Sequence, residues 1–396
     1  LSKLSFGQQE NEMEFDLTDT QKLFKSSARE LFAVECSPQL VREMIEKNEP
    51  YSDHLWEKLV EQGWTGLLFS EDDGGLGLGM VEMAVAFEEM GRALVPGAFL
   101  STTALAGSLV QAASAGELQQ KLLEAISEGS AKATVALLEQ SARWDLDAVA
   151  LRATETADAV RLNGKKLFVS DAEVADYILV AARIGSDLAV VAVDKNAQGL
   201  VVNAMPAIDA TRRLCEVSFN DTQADLLVRG DAARQALEHA IDVATLALAA
   251  EMVGGMNWVM DASVEYAKTR KQFGKPIGQF QAVQHHCANM LLMTESARSA
   301  VYYAAWVMGN TPEQAPLAVS MAKAYASDAY REVGNLGIQV HGGIGFTWDE
   351  NIHFYYKRAK ASELMFGDAS FHRERIARLV VDGAAEPARA ATQVGD

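Results

Sequence analysis

The sequence predicts an α+β chain in three parts: an N-terminal helical domain over 1–130, a middle antiparallel β domain over 131–228 and a C-terminal domain of long packed helices over 229–396. Three changes of texture mark these parts. From about Asp16 to Gly129 apolar residues recur at helical spacing, from about Ala131 to Val228 they fall in short β-rich runs, and from about Ala232 to Val381 the helical period returns. In the first part, Thr18 and Gln21 read as a capping box ahead of Leu23, Phe24, Ala28 and Leu31. Pro50, a glycine-rich stretch at 71–79 and Pro96 punctuate its helices. In the second, runs at 134–138, 148–153, 159–162, 177–182, 188–193 and 215–219 suit a small sandwich or barrel, with Asn163 and Gly164 as a hairpin turn. In the third, Leu237, Ile241, Leu248, Met252, Met256 and Val259 form the buried stripe of one long helix. Pro276 separates it from a second helix expected from about Gln279 to Met308, and Pro312 and Pro316 precede a third.

Composition narrows the function classes. A chain of 396 residues with 49% apolar and 22% charged residues is an ordinary globular one, long enough for two or three domains. Its 54 acidic against 35 basic residues give a formal charge of -19, which repels phosphate backbones and anionic lipid. Neither nucleic acid nor a membrane surface is therefore expected as a partner, and no uninterrupted apolar run approaches the ~20 residues of a spanning helix. Cys36, Cys215 and Cys287 are odd in number and far apart, which suits a reducing cytosol. Residues 1–15 carry Glu10, Glu12 and Glu14 and no apolar core, so they resemble neither a signal peptide nor a transit sequence; the expected location is the cytoplasm.

Several familiar motifs fail. The glycines at 74–79 lack the G-x-G-x-x-G spacing and follow no clear strand, so they read as a turn. His285, His286 and Cys287 stand in succession on a helix, ~100° apart, and cannot converge on one ion; no metal site is expected. There is no G-x-S-x-G, so a hydrolase nucleophile is unsupported. Two stretches hold more promise. Residues 270–281 put Arg270, Phe273 and Gln281 at the junction of two long helices, and residues 339–345 break a helix with Gly342, Gly343 and Gly345 after Gln339. An Arg fork with bare backbone donors suits a pyrophosphate, and Phe273 suits stacking on a planar group. The residues alone leave anionic-cofactor binding and ordinary capping and packing evenly balanced.

These two stretches resemble the most recognisable signatures of the acyl-CoA dehydrogenase family, FAD-dependent enzymes that oxidise CoA thioesters, and the resemblance covers nearly the whole chain. Residues 162–171 resemble the family's middle-domain motif at the flavin, with Phe168 in place of Trp and Ser170 in place of Thr. Asp261, Tyr266 and Arg270 fall at family spacing. The resemblance implies an N-terminal helical domain, a middle β domain and a C-terminal four-helix bundle, with FAD bound between the last two and across a subunit boundary. It also implies an acyl-CoA substrate, a dimer or tetramer, and an electron-transfer flavoprotein as reoxidant. The acyl pocket would lie between the N-terminal helices, the β domain and the helix carrying Gly254 and Gly255.

α,β-Dehydrogenation needs a base beside the thioester, and in the family this is a Glu just before a Gly-Thr near the C-terminal end. Keeping Gly367 in register puts Phe366 at that position; a second family location for the Glu falls on Ala244. Asp368, two residues beyond Phe366, and Glu251, two turns beyond Ala244, are the remaining candidates for the base. The resemblance divides the flavin contacts as well. Arg270, Phe273, Gln281, Gln339, Gly342 and Gly343 match residues that reach a neighbouring subunit's FAD. Residues that hold a subunit's own flavin fare worse: Leu138 replaces a Thr, and Asp368 and Ser370 replace a Thr and a Gln. Three functions follow: a subunit of a heteromer whose sister chain supplies the base, a self-sufficient FAD homo-oligomer using Asp368 or running a different reaction, and a non-catalytic acyl-CoA-binding scaffold.

Overall fold

The computed structural model describes residues 16–114, 116–156 and 159–382, so the acidic segment at 1–15 lies outside the described residues. The N-terminal helices are α1 (Asp19–Glu35), α2 (Pro38–Lys47), α3 (Asp53–Glu61), α4 (Met80–Ala93), α5 (Ser108–Ala112) and α6 (Glu117–Ser127). The capping box sets the start of α1. Thr18 Oγ1 accepts from Gln21 N at 3.2 Å, and Gln21 Oε1 accepts from Thr18 N at 2.9 Å. The glycines at 74–79 form a packed turn: a Cβ on Gly75 would lie 2.3 Å from the Phe69 carbonyl oxygen. Ahead of α5, the buried segment Leu100–Gly107 winds as a π-helix. Its Thr102 hydroxyl donates to Ala133 O at 3.0 Å and accepts from Ala133 N at 3.2 Å, joining the helices to the β domain.

The middle domain is a seven-stranded sheet of β1 (Ala133–Ala136), β2 (Ala153–Glu155), β3 (Val160–Ser170), β4 (Tyr177–Ile184), β5 (Asp187–Asp194), β6 (Leu200–Met205) and β7 (Leu214–Arg229). The order is β1-β4-β5-β7-β3-β2, with β6 also on β7. Neighbours run antiparallel except β1 and β4, which are parallel, a departure from the wholly antiparallel expectation. Long β7 serves β5 with one end and β3 and β6 with the other, wrapping the sheet around Leu162, Val180, Val191 and Val217. Asn163 and Gly164 do not turn. Strand β3 runs through them and absorbs the irregularity as a bulge against β7, because Asn163 Oδ1 accepts from Asp221 N across the gap at 2.8 Å. The run expected at 148–153 is mostly irregular, leaving the short 3-10 turn Leu146–Ala148 and reaching β2 only at Ala153. Strand β6 escaped the sequence reading because it is a largely exposed strand without a marked apolar alternation.

The C-terminal domain begins with α7 (Asp231–Thr269) and continues through a small hairpin of β8 (Lys271–Gln272) and β9 (Lys275–Pro276) to α8 (Gln281–Asn310), α9 (Ala315–His341), α10 (Ile352–Leu364) and α11 (Ala369–Ala377). Pro316 lies inside the first turn of α9, where a missing N–H has no helical partner to lose. Helix α7 is long and apolar enough by composition to cross a membrane, yet most of its apolar window is buried inside the protein. It packs on α4, α8 and α9. A Cβ on Gly254 would lie 1.8 Å from Glu88 O, and one on Gly91 would lie 1.9 Å from Glu251 O. Helices α4 and α7 thus cross backbone against backbone. Gly254 serves this close contact.

Candidate active site

A cavity of about 580 Å³ lies between the β domain, α10 and α11. Strand β3 supplies Phe168 and Ser170, the segment after β1 supplies Leu138 and Trp144, and the turn between α10 and α11 supplies Phe366 and Asp368. Each wall is fixed from behind. Under the first, the buried Lys166 donates to Glu139 Oε1 at 2.7 Å and to Leu137 O at 2.9 Å, while Glu139 accepts from Ala150 N and Leu151 N. Burial pushes the Lys166 ammonium down to about 8. Phe168 sits at the second bulge of β3, with φ +56°, and turns a half-open aromatic face to the cavity.

The turn between α10 and α11 holds Phe366, the residue that the family resemblance puts at the base position. Phe366 is 2% exposed, adopts φ +58° and packs on Trp144 with ring centroids 5.4 Å apart. Gly367 follows at φ +98°, where a Cβ would lie 2.3 Å from the Phe371 ring. The turn is held from beneath: buried Lys323 donates to Gly367 O at 2.8 Å, Glu363 O at 3.1 Å and Ser327 Oγ at 3.0 Å. His372 Nε2 lies 3.0 Å from Phe366 O, which can only accept, so that nitrogen carries the proton. Burial pushes Lys323 down to about 7 and His372 down to about 3. Asp368 does line the cavity, but its carboxylate caps α11, accepting from Phe371 N at 2.8 Å. The sequence reading did not find Lys323 or His372, because neither stands in a motif and only packing brings them under the turn.

Glu251, the other candidate base, is not offered to the cavity. It is buried on α7 with one oxygen on Arg358 Nη1 and the other on Arg212 Nη2. Arg358 also donates through Nε to Asp209 Oδ2 at 2.6 Å. Both Glu251 oxygens are thus engaged by guanidinium groups, which makes it a member of a buried ion cluster. Nothing in the sequence spacing joins Asp209, Arg212, Glu251 and Arg358, which come from the β6–β7 loop, α7 and α10. Close by, Ser101 Oγ donates to Asp171 Oδ2 at 2.7 Å, and burial pushes the Asp171 carboxyl up to about 6.

The remaining predicted residues gather elsewhere. Tyr266 near the end of α7 stacks on His341 at the end of α9 with centroids 4.5 Å apart, which brings Arg270 and Phe273 to the same end as Gln339, Gly342 and Gly343. All are exposed, as is Gln281 at the first turn of α8, and none lines the 580 Å³ cavity. Phe273 and Gly274 form a two-residue turn with φ +51° and +80°, the backbone of a primed hairpin turn. That turn leaves Phe273 92% exposed. Gly342, at φ +64°, ends α9 and leaves open space where a side chain would stand.

The two groups differ in how they suit FAD. The cavity wall is apolar at Leu138, Phe168 and Phe366 and polar at Ser170, Arg143, Trp144, Asp145 and Lys360, while Asp209 and Asp368 are engaged by protein partners. A flavin ring system needs donors and acceptors at its polar edge, and Ser170, Trp144 and Lys360 are side chains of the cavity wall with the chemistry to face it. The exposed group, an Arg, two amides, an exposed aromatic and bare glycine backbone, has the chemistry to meet a phosphate-bearing planar cofactor.

Comparison with known proteins covers each part of the chain. Residues 18–130 match the acyl-CoA dehydrogenase N-terminal domain, 134–222 the middle domain and 233–381 the C-terminal domain. Acyl-CoA dehydrogenase IpdE2 of Mycolicibacterium smegmatis is 30% identical, over 92% of this chain and 98% of the relative. Among solved structures, a chain of the ChsE4-ChsE5 complex from Mycobacterium tuberculosis is 28% identical, with a TM-score of 0.84 over 92% of this chain and 98% of that one. The Tcur3481-Tcur3483 steroid ACAD is 29% identical, with a TM-score of 0.83 over 93% and 99%.

Proposed function

Because the chain belongs to the acyl-CoA dehydrogenase family, flavoproteins that act on CoA thioesters, we propose that it is a base-lacking subunit of a heteromer that dehydrogenates a sterol-derived CoA thioester. The observation that carries this reading is Phe366, a buried aromatic at the position where the family resemblance puts the carboxylate. A sister chain supplies the base and the flavin cavity. This chain supplies Arg270, Phe273, Gln281, Gln339, Gly342 and Gly343 to the sister's FAD, which accepts the hydride when bound. The steroid ACAD pair and the ChsE4-ChsE5 complex, both named as two-component assemblies, support the heteromer and the substrate class. An electron-transfer flavoprotein is the reoxidant that the resemblance implies.

The test is co-expression with a family member that carries the missing Glu. The lone chain is expected to hold no stoichiometric flavin and to turn nothing over. The pair is expected to copurify with about one FAD per two chains and to be active. A lone chain with one flavin and full turnover, or a pair no more active than its parts, overturns the reading. A second reading, the self-sufficient homo-oligomer, draws on one observation, Asp368 on the cavity wall. In that case Asp368→Asn abolishes turnover of the lone chain with its flavin retained.

A further inference from the structure

The space between the N-terminal helices, the β domain and α7, where the resemblance seats an acyl group, contains a void of only about 20 Å³. That is room for roughly one water. Two features fill the rest. The α4–α7 crossing at Gly91 and Gly254 brings backbone to backbone. Beside it stand four charged side chains, Asp209, Arg212, Glu251 and Arg358, with two positive and two negative charges in one hydrogen-bonded chain. Arg358 is 2% exposed and is further tied to Thr211 Oγ1 at 3.1 Å. Arg212 and Ser170 line both the small void and the 580 Å³ cavity, so the Arg212 side chain forms part of the partition between them.

We propose that this ion cluster is a plug in the chain's own acyl position, with Arg212 as the specificity-determining residue that closes it against the alkyl part of a CoA thioester. The proposal rests on the family reading above for the place of the acyl group, and not on the heteromer. An alkyl chain could enter only by parting Arg212 from Glu251, leaving desolvated charge against hydrocarbon. Balanced charge keeps the cluster stable in the absence of substrate, and the neutral sum removes any net attraction for an anionic head group at this depth.

The experiment is isothermal titration of the lone chain and of its Arg212→Ala variant with CoA, acetyl-CoA, butyryl-CoA and octanoyl-CoA. In Arg212→Ala, Glu251 keeps Arg358 and the void joins the cavity. The ratio of wild-type to variant Kd is expected to stay near one for CoA and acetyl-CoA and to reach at least about tenfold for octanoyl-CoA. Each buried methylene is worth roughly fourfold in affinity, so a few newly buried carbons suffice. Arg212→Lys, which can still face Glu251, is expected to keep the ratio near one throughout. A ratio near one at every length in the alanine chain, or the same rise in the lysine chain, overturns the plug; Arg212→Ser carries the same expectation should the alanine chain not fold. Failure to find a partner subunit would overturn the heteromer and leave this titration untouched.

Discussion

Phe366 and Asp171 show how single residues set the chemistry this chain can do. A buried carboxylate needs donors, and at the cavity wall the apolar ring of Phe366 packs on Trp144 instead, above the Lys323-supported turn. Asp171 is a carboxyl that does sit in such a place, with Ser101 as its hydrogen-bond donor. Its folded pKa of about 6 lies above the ordinary 3.8, so between those values the folded chain holds a proton that the unfolded chain has lost. Stability therefore falls as pH rises from about 4 to about 6 and the deficit persists above. Asp171→Asn removes this term. Urea melts are expected to find the variant matched to the wild type near pH 4 and more stable by about 3 kcal/mol above pH 6. A constant offset at all pH values would show that burial of this carboxyl does not govern it.

At the scale of elements, the helix ends and the helix crossing have different tasks. The ends of α7 and α9, clipped together by Tyr266 and His341, present side chains that nothing in this chain needs for folding. Arg270→Ala and Gln339→Ala are accordingly expected to leave thermal stability within about 0.5 kcal/mol. In the two-chain complex each is expected to weaken FAD retention by about 1.5–3 kcal/mol, read as flavin released on dilution. The crossing of α4 and α7 is the opposite case. Gly254→Ala gains helix propensity but drives a methyl into Glu88 O on a neighbouring backbone, which cannot rotate away. A net loss of about 3 kcal/mol in chemical unfolding is expected, whereas Gly343→Ala, with open space around it, is expected to change little.

Over the whole molecule, the long helix α7 crosses α4, carries Glu251 into the ion cluster and is capped by Arg270. The exposed residues at the shared end of α7 and α9 and the cavity beside the β domain are separate regions of the chain. Under the proposed function this chain completes a neighbour's site, which makes flavin stoichiometry per pair of chains the natural whole-molecule measurement.

Sequence by itself determined the order of the three regions, the capping box at Thr18, the helical stripe of α7 and the two glycine and arginine stretches, because each depends on neighbours within a few residues. It also showed that no carboxylate stands at position 366, since identity at a position needs no fold. It misread Asn163 and Gly164 as a hairpin, because the residues that hold β3 straight, Asp221 among them, lie some sixty positions away. Only the tertiary structure decided that Gly254 serves a helix crossing, that Asp368 caps a helix and that Glu251 is locked between Arg212 and Arg358. Each of those facts depends on partners brought together by packing, and a buried charge takes its role from the charge beside it rather than from its place in the chain.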